Sequence, residues 1–161
     1  MTVTNNVTRF LDARKVLYTA HELPLEKLGA VEAAEFMGVS HGQVFKTIVI
    51  VREKKKPVLA LVSGLRVVDL KLLAAFLGEK KVHLPTEREA EQLTGLQAGG
   101  ISALALINKG FQVVIDSVAQ EYEQIYISGG QRGLDIQVGV ADLVRLTNAR
   151  VGAVSKDEHI T

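Results

Sequence analysis

The sequence predicts a mixed α/β fold, a single compact domain in which helices surround a curled mixed β-sheet. Three observations carry this. Apolar, β-branched runs at 44–51 and 58–62 flank the charged turn Arg52-Glu53-Lys54-Lys55-Lys56-Pro57, the pattern of a hairpin. Capped helical stretches lie between the strand-like runs, so hairpins mix with helical crossovers. A chain of 161 residues, 47% of them apolar, suits one domain with a proper core.

In order, Asn6 is a candidate cap for a first helix carrying Val7, Phe10 and Leu11 at helical spacing. Residues 16–23 read as a strand. Residues 28–36 read as a helix, with Gly38 as its C-terminal cap. After the hairpin, Asp69 caps a helix over 70–77 that Gly78 closes. A short strand is expected at 80–84. Thr86 and Glu89 have capping-box spacing and open a helix to about residue 94. A glycine-rich loop spans 95–102. Strands are expected at 104–107 and 111–116 around Asn108-Lys109-Gly110, with a second capping box at Ser117 and Gln120. Strands at 124–128 and 134–138 flank Gly129-Gly130-Gln131-Arg132-Gly133, and a helix over 141–148 follows. The domain is expected to span 1–161, with 152–161 a polar tail that frays.

Composition narrows the chemistry. A net charge of +1 gives no general attraction to nucleic acid, so a polyanion must meet a local patch. The absence of cysteine excludes disulfides, thiol nucleophiles and thiolate metal sites. The polar start and the lack of a long apolar run lead us to expect a cytoplasmic protein without a membrane anchor. No phosphate-binding P-loop, dinucleotide fingerprint or nucleophile elbow is present. His21, His41, His83 and His159 show no ligand spacing, and neither a metal nor a cofactor is expected.

Lys46 stands out. Strand alternation puts it on the face of Val44, Ile48 and Ile50, where a buried ammonium needs a partner. It is either a site cation or a strand-end lysine whose head reaches water. Gly99 and Gly100 either form a plain turn or present backbone N–H groups to an anion. Asp135 shares a strand face with Gln137 and is exposed if that face is solvated. Lys54, Lys55 and Lys56 form either a solvated turn or a phosphate contact, with Lys80 and Lys81 as a second basic cluster.

Four motifs in register give a resemblance. Phe45-Lys46-Thr47, Thr94-Gly95 followed by Gly99-Gly100-Ile101-Ser102, Val114-Ile115-Asp116, and Ser128-Gly129-Gly130-Gln131-Arg132-Gly133-Leu134-Asp135 resemble the YbaK/EbsC family. These proteins are free-standing relatives of the editing domain of bacterial prolyl-tRNA synthetase. The likeness runs from about residue 5 to residue 150. It implies a trans-editing aminoacyl-tRNA deacylase, with Cys or Ala removed from tRNA(Pro) or a related tRNA. The partners implied are a tRNA acceptor end and an aminoacyl-tRNA synthetase such as the prolyl enzyme. By this likeness Lys46 holds the terminal phosphate or ribose region. Backbone donors at Gly100, Ile101 and Ser102 take the oxyanion, and Asp135 orients Lys46 or the substrate amino group. Gly99, Ala103, Ser128, Gly129 and His21 are the remaining implied substrate contacts. The attacking group would be the substrate's own thiol, in a lyase-like release of thiolactone, or a bound water. Ala103 and Ala105 depart from the family loop, which carries proline and glycine there. A silent tRNA- or synthetase-binding protein and a small-ligand binding protein are the rival classes.

Overall fold

The computed structural model describes residues 3–158. Helix α1 (Asn6–Ala13) leads to strand β1 (Tyr18–Glu22) and helix α2 (Ala30–Met37). Strands β2 (Phe45–Arg52), β3 (Val58–Ser63) and β4 (Arg66–Val68) follow, then helix α3 (Leu70–Leu77), strand β5 (Val82–His83) and helix α4 (Glu87–Thr94). Strands β6 (Gln112–Asp116), β7 (Gln124–Ser128) and β8 (Leu134–Gly139) precede helix α5 (Val140–Thr147), and β9 (Arg150–Gly152) and β10 (Ser155–Asp157) end the fold.

The expected mixed sheet is present and is divided into three parts. The largest has the order β5-β2-β3-β6-β9, with β2 antiparallel to β3 and β6 parallel to both β3 and β9. A second, antiparallel sheet has the order β1-β8-β7, and β10 pairs with β4 in a third. A lone parallel bridge between Val44 and Tyr126 joins the first two.

Alternation sorts β2 and β3 between two cores. Phe45, Val49, Leu59 and Leu61 enter the larger core with Ile127, Leu134 and Ile136 of the second sheet. Ile50, Val58, Ala60 and Val62 enter the other core with Leu73, Ala74 and Val154. Every residue of β3 is buried, as a strand covered on both faces requires.

Local signals set several boundaries. Asp69 accepts from the N–H groups of Lys71 and Leu72, and Thr86 and Glu89 form the expected reciprocal box. Asn5, rather than Asn6, caps α1, because its side chain accepts from Thr8 N–H while Thr8 accepts in return. Asp116, rather than Ser117, caps the short 3₁₀ turn Ser117–Glu121. Residues 104–107 do not form a strand: Ser102 Oγ accepts from Leu104 N–H, and Leu104–Leu106 is a 3₁₀ turn with both leucines in the core.

Of the tail expected to fray, 152–161, the described part to residue 158 is fastened, while 159–161, with His159, lie outside the described residues. Buried Asp116 accepts from Val154 N–H at 2.9 Å through Oδ1 and from the Ser155 hydroxyl at 2.8 Å through Oδ2. Arg66 adds bonds to Ser155 and Asp157. Strands β4, β9 and β10, absent from the sequence reading, are three residues each, too short for periodicity to show. Among the described residues no helix is long and apolar enough to cross a membrane.

Asp116→Ala strands a buried N–H and a buried hydroxyl together. It should lower stability by about 3 kcal/mol, and amide exchange at Val154 and Ser155 should accelerate more than at β3. Uniform acceleration across both regions would show that Asp116 does not fasten the tail.

Candidate functional site

One edge of β2 is left open. Val44 C=O accepts from Gly64 N–H at 2.8 Å, so the alternation of an antiparallel ladder points the main-chain groups of residues 44, 46, 48 and 50 at β3. Those of Thr47 and Val49 point the other way, where β5 covers only Val51 and Arg52. A cavity of about 410 Å³ runs along this edge. Its walls are the segment before α2, the start of α4, the glycine loop, and the ends of β7 and β8.

Lys46, Gly99, Ile101, Ser128 and Asp135 all line the cavity, so the fold gathers residues up to 89 positions apart, from Lys46 to Asp135. Lys46 is half-buried, and burial holds its ammonium below the usual lysine range, partly offset by the negative charge of Glu158. Asp135 is only 8% exposed. Burial pushes its carboxyl up to about 7, so it is close to half protonated at neutral pH. The solvated-face reading of Asp135 is therefore corrected. Asp135 stands opposite Ser128 on one side and His21 on the other, and α2 covers that face by packing Ala33 and Ala34 near Tyr126.

Lys46 and Asp135 share the cavity without pairing: no ion pair among the described residues joins them.

The loop divides into residues that face the cavity and residues that support it. Gly100 N–H donates to Gln97 C=O at 2.8 Å and is not free for an oxyanion. A Cβ on Gly100 would come within 2.7 Å of Gln131 Cα, so the glycine is there for close backbone packing. Ser102 is fully buried and caps the following turn, and Ala103 lies in the larger core at 1% exposure. Neither lines the cavity. Ala103 has φ −61°, the value that proline would impose, so the loop keeps that shape without it. Gly99 and Ile101 face the cavity, and their N–H groups meet no acceptor among the described residues. They are the loop's available anion donors.

Two further expected contacts lie outside. Gly129 N–H donates to Leu134 C=O to close the β7–β8 hairpin, and a Cβ there would strike Leu134. His21 hydrogen-bonds Gln137 through Nε2 and packs near the Tyr126 ring. Sequence reasoning gave no role to Thr47, whose buried Oγ1 has no hydrogen-bond partner and which lines the cavity. Its place beside Lys46 in the Phe45-Lys46-Thr47 motif was the available signal. Lys54, Lys55 and Lys56 lie in the turn beyond the far end of β2, which is about 20 Å from Lys46 at strand rise. The Lys55–Glu79 ion pair brings that turn to Lys80 and Lys81. Among the described residues, no group of three acidic or histidine side chains is placed to hold a metal ion.

Gly100→Val should unfold the loop rather than merely block it, lowering the melting temperature by several degrees, since backbone stands where the side chain must go. An unchanged melt would refute this packing role. Asp135 sets a pH dependence of stability. Its carboxyl is protonated in the folded chain between about pH 4 and 7 but ionised when unfolded, so this contribution is full below pH 4 and lost as pH rises to about 7. The shift corresponds to roughly 4 kcal/mol at most. Asp135→Asn should therefore gain stability over the parent as pH rises from 5 to 8 in paired thermal melts; a constant difference would contradict the burial effect.

The model of the aminoacyl-tRNA editing domain matches residues 26–146. The chain is 34% identical over 155 residues to a protein of Enterococcus faecalis described as a candidate Cys-tRNA(Pro)/Cys-tRNA(Cys) deacylase, EbsC, covering 95% of this chain and 94% of that one. It is 28% identical over 107 residues to a proline–tRNA ligase of Thermodesulfovibrio yellowstonii, covering 66% of this chain and 18% of the ligase. A crystal structure described as a candidate trans-editing enzyme for prolyl-tRNA synthetase superposes with a TM-score of 0.80 at 27% identity, covering 96% of this chain and 99% of that one. The hypothetical protein APE2540 shares the fold, with a TM-score of 0.86 at 23% identity over 94% of this chain and 100% of that one. With its cavity built from the motifs that first suggested the likeness, the chain belongs to the aminoacyl-tRNA editing domain family.

Proposed function

We propose that the chain removes a mischarged amino acid, Cys or Ala, from tRNA(Pro) or a related tRNA, acting in trans in the cytoplasm beside a synthetase such as the prolyl enzyme. The observation that carries this reading is the cavity on the open edge of β2, which joins a half-buried lysine, free backbone donors and a desolvated acid. Its volume, about 410 Å³, suits a small aminoacyl group together with part of the terminal ribose.

Lys46 meets the ribose–phosphate end and holds the ester in place, as a compact point charge does well. Gly99 and Ile101 N–H groups point at the carbonyl oxygen as it becomes negative. Asp135 receives the α-ammonium. A carboxylate short of solvation gains most from a cation, so substrate binding favours its ionised form. The chain has no cysteine, and in this reading the attacking group comes from outside the protein. For a cysteinyl ester it is the substrate thiol, whose sulfur bonds to the carbonyl carbon as the ribose oxygen departs with a proton. For an alanyl ester it is a water molecule, which leaves alanine and the free ribose hydroxyl. The five lysines Lys54, Lys55, Lys56, Lys80 and Lys81 make a patch that meets acceptor-stem phosphates, which carry no sequence information.

Lys46→Ala should reduce deacylation of Cys-tRNA(Pro) or Ala-tRNA(Pro) at least a hundredfold, with melting unchanged or raised because a burial cost is removed. A fully active Lys46→Ala protein would remove the lysine from the mechanism. A parent protein inert on every mischarged tRNA would overturn the deacylase reading.

A further inference from the structure

Lys27 and Glu87 form an ion pair with Nζ to Oε2 at 2.5 Å, although 60 residues separate them in the chain. They belong to opposite walls of the cavity. Lys27, Leu28 and Gly29 come from the segment before α2, and Pro85, Thr86 and Glu87 from the start of α4. Both charged side chains are more than half exposed, at 52% and 57%, so the pair lies where the cavity meets solvent. Lys27 is also fixed to the glycine loop: a Cβ on Gly99 would lie 3.3 Å from both Lys27 Cα and Cγ. The stem of Lys27 therefore rests on the loop that offers anion donors, while its charged end reaches across to α4.

We propose that Lys27 is a phosphate-binding residue at the cavity entrance, held by Glu87 when the site is empty and passed to a phosphodiester of the RNA 3′ end when it is filled. This rests on the reading of the site as one for aminoacyl-tRNA. An exposed ion pair is worth so little that the closed arrangement is favoured by no more than about fivefold, and a nucleic acid can open it. The exchange replaces a carboxylate with a phosphate oxygen on the same ammonium, so no charge is left bare on Lys27. Glu87 is freed into water at the first turn of α4, where the helix dipole favours a carboxylate. Lys46, deeper and half-buried, and Lys27, at the rim, then hold the strand at two points, which fixes direction as well as position.

The test uses the full chain and a short RNA hairpin ending in single-stranded CCA, with binding followed by fluorescence anisotropy across a salt series. Lys27→Ala should weaken binding about threefold or more near 50 mM salt and lower the log–log salt slope by about 0.7, the share of one single-strand phosphate contact. Lys27→Arg should restore the slope. Glu87→Gln should tighten binding up to about fivefold, because the competitor is gone. The double exchange Lys27→Glu with Glu87→Lys should recover the melting temperature but not the RNA affinity. In deacylation, Lys27→Ala should raise KM and leave kcat nearly unchanged. A Lys27→Ala protein with the parent's slope and KM, or a charge exchange that restores affinity, overturns the proposal while leaving the deacylase reading intact. A parent that binds the hairpin through Lys27 yet cleaves no mischarged tRNA overturns that reading and leaves the phosphate contact standing. A parent that does not bind the hairpin overturns the contact.

Discussion

Strand β2 is paired along one side with β3 and along the other for only two residues of β5. An unpaired strand edge normally invites another strand, and proteins block or cover it. Here it is roofed by loops and the ends of helices instead, and the space between roof and edge is the cavity. The same constraint explains why the cavity touches side chains from both faces of β2. Lys46 belongs to the face of the smaller core and Thr47 to the face of the larger one, but both border the edge. A longer β5 would fill the site with backbone hydrogen bonds.

Away from the Lys27–Glu87 pair at the rim, charge in the cavity is managed by burial rather than by pairing. Lys46 and Asp135 are each pushed towards neutrality by loss of water, and neither relieves the other. Opposite charges brought together would cancel and leave the site indifferent to its ligand. Kept apart, each retains an unmet demand, one for an anion and one for a cation. An aminoacyl ester on a ribose–phosphate chain supplies both at separate points.

The sequence showed those features whose cause lies within a few residues. The caps at Asp69 and Thr86, the αL cap at Gly38 and the hairpin around Lys54 all rest on local hydrogen bonds or turn chemistry. The oddity of Lys46 was visible because alternation along one strand is local too. What escaped depends on distant chain. Asp135 looked solvated because α2, which covers its face, is about a hundred residues earlier. Gly100 looked open to a ligand because nothing nearby in sequence reveals the backbone of Gln131 pressed against it. Residues 104–107 are the local exception: an apolar run like that of a strand, they form a 3₁₀ turn whose first N–H is taken by the Ser102 side chain. Of the residues singled out by the family likeness, Lys46, Gly99, Ile101, Ser128 and Asp135 gather at one cavity, while Gly100, Ser102, Ala103, Gly129 and His21 lie outside its lining.

The pairing of β1 with β8 has a consequence for how the chain must come together. Tyr18 lies opposite Val138, and among the described residues the first strand has no other partner. During synthesis some 120 residues emerge before β1 can be paired, and Asp116 must wait for Val154 and Ser155 in turn. The early hairpin of β2 and β3 needs no such delay. The contacts that fasten the two ends thus span more chain than the hairpins of the middle, the non-local kind of topology that tends to slow folding. Asp135 sits on β8 between Ser128 of the local hairpin and His21 of β1, so one flank of the cavity's acid is covered only by this long-range pairing.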